Sequence, residues 1–273
     1  MRRCKPLLGT LVEISVQQED AETSMKHAFS EIEKVQSLMS FHHPQSDLSK
    51  INRQAHLRPI NINIWTAQIL NIAKDIHVHS GGLFNCGVGH RLITAGLLPN
   101  HLNINEHQFG GIEDLYFIDQ ETVSSIRPLC LDLGGIAKGF AVDMAVNTLI
   151  AGGVNSGAVN AGGDLRVFGN IPQIIYLRNP QAPSQLFEIG TLSNGAIATS
   201  GLYFSIRDKQ KSHIVHPFKK TELDIDEHFL ESYSILAKEC VYADALTKVL
   251  ALSRQQNHPC FAHYSAQAIR ISR

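Results

Sequence analysis

The stretch Leu131-Asp132-Leu133-Gly134-Gly135-Ile136-Ala137-Lys138-Gly139-Phe140-Ala141-Val142-Asp143 is built like a ligand-facing corner. An apolar run ends at a carboxylate, two glycines permit a tight turn, and a helical pattern starts at once. Glycines let a ligand approach the backbone, and free N–H groups at a helix start attract phosphate. Lys138, one turn in, could meet a phosphate or a ring oxygen, and Asp132 could accept hydrogen bonds from a ribose or a ring. The same residues also suit a plain strand–helix corner with a solvated lysine, because such glycine loops are common. A second cluster, Asn160-Ala161-Gly162-Gly163-Asp164, follows that helix. Two glycine-rich strand ends flanking one helix could face a single cleft. Neither cluster fits G-x-G-x-x-G or the Walker pattern, which disfavours a dinucleotide-binding doubly wound sheet or a P-loop.

The elements that must position these residues are legible from periodicity. Val12, Ile14 and Val16 alternate along a strand over Leu11–Val16. Met25, Phe29, Ile32, Val35 and Met39 form one stripe of a helix over Ala21–Met39, and Trp65, Ile69, Ile72 and Ile76 repeat the pattern. A His- and Asn-rich loop is expected from Pro99 to Asp114. Short strands are expected at Leu115–Ile118, Thr122–Ile126 and Leu129–Leu131, then a helix over Ile136–Ile150. Ala158-Val159 and Leu165–Phe168 read as strands joined by the second glycine cluster, and Ile174–Leu177 as another. A long irregular region follows, with strand candidates at Ala196–Thr199, Tyr203–Ile206 and Ile214-Val215. Ser232–Ala237 closes as a strand and Ala243–Leu252 as a helix. Strands and helices do not alternate regularly, so the expected class is α+β in one domain spanning 1–273.

The chain of 273 residues is 44% hydrophobic and 18% charged, with a net charge of -1. That balance is globular and lacks the basic excess a nucleic-acid partner requires. Five scattered cysteines lack zinc or redox spacing and read as reduced, mostly buried thiols. The start Met1-Arg2-Arg3-Cys4 has no apolar run before the cysteine, and no stretch reaches the roughly 20 apolar residues of a membrane span. The expectation is a cytoplasmic chain. His77, His79 and His90 lack a recognised ligand spacing and read as surface histidines.

D-L-G-G-I-A-K-G-F-A-V-D followed by V-N-A-G-G-D-L resembles the signature of the ApbE family of FAD:protein FMN transferases. Further segments resemble that family in order along the chain. They are Pro6-Leu7-Leu8-Gly9-Thr10, Met39-Ser40-Phe41, Ser46 to Asn52, Ala198-Thr199-Ser200-Gly201, Ser212 to Pro217, and Ala243-Asp244-Ala245-Leu246. The resemblance implies mixed sheets with packed helices around a central FAD cleft. It also implies transfer of FMN from FAD to a Thr or Ser hydroxyl of a target flavoprotein, with AMP released. By motif position, Leu8, Phe41, Asp132, Lys138 and Val215 are the implied FAD contacts, with Asn160, Gly162 and Gly163 nearby. Lys138 would also offset charge on the phosphate, and His213 is the implied acceptor of the hydroxyl proton.

The resemblance further implies Mg2+ held by the Gly135 carbonyl, by Asp244, and by groups three and four residues beyond it. Here this chain departs from the family. Thr247 stands three residues after Asp244, about 100° round the helix from the usual ligand, and Lys248 occupies the fourth position. An ammonium cannot ligate Mg2+, but it can take the metal's place and pair with Asp244 or the pyrophosphate. Alternatively Lys248 points to solvent, and Mg2+ binds through Asp244, Gly135 and the Thr247 carbonyl. Leu202 replaces an acidic residue, His216 an aspartate, and Lys219-Lys220 a Thr-Gly pair; Phe41 stands where tyrosine is common. These departures keep two other readings open: a non-catalytic FAD carrier, and a metal-dependent hydrolase releasing FMN and AMP.

Overall fold

The computed structural model describes residues 1–100, 109–201, 214–217 and 231–272. His213, Leu202, Lys219, Lys220 and the strand expected at Tyr203–Ile206 lie outside those residues, as does part of the Pro99–Asp114 loop. Strands β1 (Arg2–Leu7) and β2 (Thr10–Val16) lead into helices α1 (Glu22–Met39) and α2 (Asp47–Gln54). Next come β3 (Ile60–Asn61), α3 (Ile64–His79), α4 (Gly89–Thr94), β4 (Leu115–Phe117) and β5 (Thr122–Ser125). The helix α5 (Ala137–Ala151) precedes β6 (Gly157–Ala161), β7 (Asp164–Phe168), β8 (Gln173–Arg178), β9 (Leu186–Leu192) and β10 (Gly195–Gly201). The chain closes with β11 (Ser232–Ala237), α6 (Cys240–Ser253), α7 (Pro259–His263) and β12 (Gln267–Ile271).

Seven strands pair in the order β1-β2-β6-β7-β10-β11-β12, each antiparallel to its neighbours. The architecture is α+β, as the irregular alternation of elements predicts. Period-two side-chain alternation splits the sheet into two faces. Val12, Ile14, Ala196 and Ala198 enter the main core, where α1, α5 and α6 pack. Ile197 points the other way and packs with Ile175 and Leu177 of the β8–β9 hairpin. The α1 stripe of Met25, Phe29, Ile32, Val35 and Met39 is buried as its spacing requires.

Several elements escape a pattern-based reading. Strand β1 is Arg2-Arg3-Cys4-Lys5-Pro6-Leu7 and lies at the sheet edge, where charge and proline deter further pairing and erase the apolar alternation. Strand β9 falls in the region expected to be irregular, because most of its side chains are exposed and Gly190 interrupts it at φ +127°. Helix α2 is short, but Ser46 caps it by accepting the Ser49 N–H at 3.0 Å.

The strand expected at Leu129–Leu131 is absent. That segment is extended, but its partners are scattered: Leu129 bridges Gly110, Cys130 O accepts from Gly89, and Asp132 N donates to Cys86 O. Leu131 pairs instead with a side chain. The buried Asn52 donates to Leu131 O at 2.8 Å and accepts from Leu131 N at 2.8 Å. This amide does the work of a neighbouring strand one residue before Asp132. Asn52→Ala leaves both backbone groups of Leu131 unpaired in the core. It is expected to lower the unfolding free energy by about 2–3 kcal/mol, measured as a lower urea midpoint at unchanged slope. The Ile214-Val215 pair likewise forms no strand among the described residues.

Candidate functional site

A cavity of about 750 Å3 opens between the end of α1, the loops around α4, and the start of α5. That volume falls within the roughly 300–1,000 Å3 of ligand sites. Its lining includes an apolar set, Phe41, Leu83, Phe84, Val88, Leu92 and Leu98. It also includes Asp132, Gly134, Gly135, Lys138, Asp164 and Lys248. The two glycine clusters therefore do face one cleft. Two turns bring residues to it by similar geometry. Gly162 and Gly163, at φ +64° and +106°, make the two-residue connection of the β6–β7 hairpin, and Asn160 Oδ1 accepts from Gly163 N at 2.9 Å. That turn delivers Gly162 and Asp164 to the cavity, with Asn160 and Gly163 supporting it. Leu8 and Gly9, at φ +54° and +71°, form the matching β1–β2 connection, and Leu8 lines the cavity.

The start of α5 differs from a free anion cradle. The amides of Ile136 and Ala137 donate to Leu133 O, the Gly134 amide to Asp132 Oδ2 at 3.1 Å, and the Gly139 amide to Asp244 Oδ2 at 3.1 Å. Asp244 thus caps α5 from α6. The favour is returned: Asp143 of α5 accepts from Cys240 N at 2.9 Å and Val241 N at 2.8 Å, capping α6. Each carboxylate sits at the positive end of the other's helix. Positive charge for a ligand comes mainly from side chains.

Lys138 donates to Asp164 and lies 3.6 Å from Asp244 Oδ2. Lys248 donates to Asp244 Oδ1 and, at 3.0 Å, to the Asp244 main-chain oxygen. Burial would raise the Asp244 carboxyl, but Lys138 and Lys248 outweigh it and hold it well below the usual carboxylate range. Burial and the Asp244 charge push Asp164 up, against the pull of Lys138. Burial opposes the charge on Lys138, yet Asp244 and Asp164 keep it protonated far above an ordinary lysine. Burial also raises Asp132, against the Gly134 amide, His42 and Lys248.

A model of the ApbE family matches residues 8–270. The chain belongs to the ApbE family. A FAD:protein FMN transferase of Vibrio cholerae is 27% identical over 272 aligned residues, covering 92% of this chain and 80% of that protein. Another, from Chlamydia trachomatis, is 30% identical over 222 residues, covering 76% of this chain and 68% of that protein. Among solved structures, the flavin transferase ApbE from Vibrio cholerae matches at a TM-score of 0.82 and 23% identity, covering 100% of this chain and 93% of that one. The apo form of Pseudomonas stutzeri flavinyl transferase ApbE matches at 0.83 and 19%, covering 100% and 91%. At those identities the structures establish the fold.

Of the residues singled out by resemblance to the ApbE family, Leu8, Phe41, Asp132, Lys138, Gly162 and Val215 line one cavity. Asp164 joins them through its pair with Lys138; its place at the end of the second glycine cluster was the available signal. The divalent-cation set fares differently. Gly135 and Asp244 both meet Lys248, and the Asp244 carboxylate and the Thr247 hydroxyl are already engaged. The Asp244 oxygens serve Lys248 and the Gly139 amide, and the fully buried Thr247 hydroxyl bonds Asp244 O at 2.7 Å and Ser200 Oγ at 2.8 Å. At Asp244 the partner present is an ammonium, whereas Mg2+ demands several oxygen ligands. Lys248 does not point to solvent, its side chain being 16% exposed.

Elsewhere, four of the five cysteines are buried and all are free. His79 is exposed as expected, whereas His77 and His90 are half-buried: Phe84 O lies 3.0 Å from His77 Nδ1, and His90 stacks on Phe109. Among the described residues no helix is long and apolar enough to cross a membrane.

Proposed function

We propose that this chain is a FAD:protein FMN transferase acting on a Thr or Ser hydroxyl of a flavoprotein in the cytoplasm. The observation that carries the reading is the mixed lining of one cavity: apolar side chains suited to a flat ring system, and two lysines suited to a diphosphate. The target oxygen forms a bond to the phosphorus on the FMN side, the P–O bond to AMP breaks, and AMP leaves with the bonding pair. Lys138, kept protonated by Asp244 and Asp164, offsets the charge that develops on the phosphate oxygens. We assign the hydroxyl proton to His213, which lies outside the described residues.

The test is incubation with FAD and an acceptor flavoprotein domain, with and without MgCl2, read by mass spectrometry and AMP release. An FMN adduct with matching AMP supports transfer. AMP without acceptor reveals hydrolysis instead. FAD retained with neither product supports a flavin carrier, the reading favoured by the engagement of Asp244 with Lys248.

Leu8 offers a second check on the cavity. A leucine in the left-handed region costs roughly 1–2 kcal/mol, whereas Asn-Gly is a favoured pair for such a hairpin connection. Leu8→Asn is expected to raise stability by about 0.5–1 kcal/mol while weakening FAD binding about tenfold through lost apolar contact. Thermal melts and flavin fluorescence titration measure the two effects separately.

A further inference from the structure

Lys248 reaches the cavity from α6, one turn beyond Asp244. Its stem runs past the backbone of Gly135, where an added Cβ would lie 3.3 Å from Lys248 Cε. Its ammonium ends on two oxygens of Asp244. Among the described residues, removing Lys248 would leave one ammonium, Lys138, beside three carboxyl groups at Asp132, Asp164 and Asp244. A diphosphate could enter such a site only with an added cation. Asp244, the carboxylate that meets Lys248, would be a ligand for that cation, yet its Oδ2 already serves Gly139 N and its Oδ1 carries the lysine.

We propose that the Lys248 ammonium is the resident cation of this site, standing between Gly135 and Asp244 where a divalent ion would otherwise sit, so that the chain binds the diphosphate of FAD without metal. The assignment deepens the FAD reading above and rests on it. An ammonium on a four-carbon stem supplies one positive charge and three donors, two of them spent on Asp244 and one left for a phosphate oxygen. Because it is tethered, it is always present. A metal ion binds in proportion to its concentration.

Flavin fluorescence titration of the full chain with FAD, in excess EDTA and in excess MgCl2, tests this directly. The expected result for the unaltered protein is one dissociation constant, the same in both solutions. Lys248→Thr is expected to bind FAD at least about tenfold more weakly in EDTA, the loss of one charge-assisted hydrogen bond, and to recover in MgCl2. The same variant should show a MgCl2-induced rise in melting temperature in the presence of FAD that the unaltered protein lacks. Binding by the unaltered protein that requires Mg2+ would overturn the lysine assignment alone, even if the variant did not fold. Undiminished binding by a folded Lys248→Thr in EDTA would do the same. No FAD binding in either solution would instead overturn the dinucleotide reading, and the assignment with it.

Discussion

Lys138→Met is expected to slow FMN transfer by about 100- to 1,000-fold, the usual loss when one preorganised group facing a developing charge is removed. It is also expected to destabilise the fold. The Lys138 ammonium lies between the carboxylates of Asp164 and Asp244, whose side chains are 4% and 1% exposed. Breaking a buried pair from one side costs about 3–5 kcal/mol. Lys138 itself is about a third exposed, so solvent screening reduces this to about 2–3 kcal/mol. The two effects separate in a double variant. Lys138→Met with Asp164→Asn removes the stranded carboxylate as well, and should recover most of the stability with none of the rate. Urea unfolding and single-turnover mass spectrometry read the two quantities. Transfer at the unaltered rate by a folded Lys138→Met protein would remove this lysine from the reaction.

Gly139→Ala is expected to cost about 2–4 kcal/mol, although alanine is the better helix former by about 1 kcal/mol. A Cβ at this position would stand 2.3 Å from Cys240 O, 2.7 Å from Cys240 C and 2.8 Å from Asp244 Cβ. Two of those atoms are backbone and cannot swing aside. The first turn of α5 must therefore back away from α6, and both reciprocal caps, Asp244 on Gly139 and Asp143 on Cys240 and Val241, lengthen together. Each cap contributes about 1 kcal/mol. Because Asp244 also anchors Lys138 and Lys248, the variant should lose FAD affinity too. A melting temperature equal to or above that of the unaltered protein would show that the two helices do not meet this closely.

The sequence already contained the parts of the site that are local. Asp132, Gly134, Gly135 and Lys138 lie within seven residues, and Asn160 to Asp164 span one hairpin turn, so spacing marked both as candidates for one cleft while a plain strand–helix corner stayed open. The pairing of Lys248 with Asp244 is also local, since residues four apart share a helix face. Edge strand β1 and strand β9 were not legible, because exposed strands carry no apolar alternation. Nor was the substitution of the Asn52 side chain for a strand partner of Leu131, since a side-chain amide leaves no periodic signature.

Determined by the sequence itself were the α+β class, the strand and helix stripes of the core, and the corner at Asp132 to Lys138. Each follows from interactions among residues close along the chain. Only the tertiary structure decided what that corner can do. Asp143 and Asp244 are 101 positions apart, and only the crossing of α5 and α6 reveals that each caps the other's helix. That crossing takes the Gly139 amide from any phosphate and engages Oδ2 of Asp244 with it. It leaves Lys138 and Lys248 as the charges beside the corner. Electrostatics between buried groups depends on distances of a few ångströms set by packing, and no spacing along the chain encodes them.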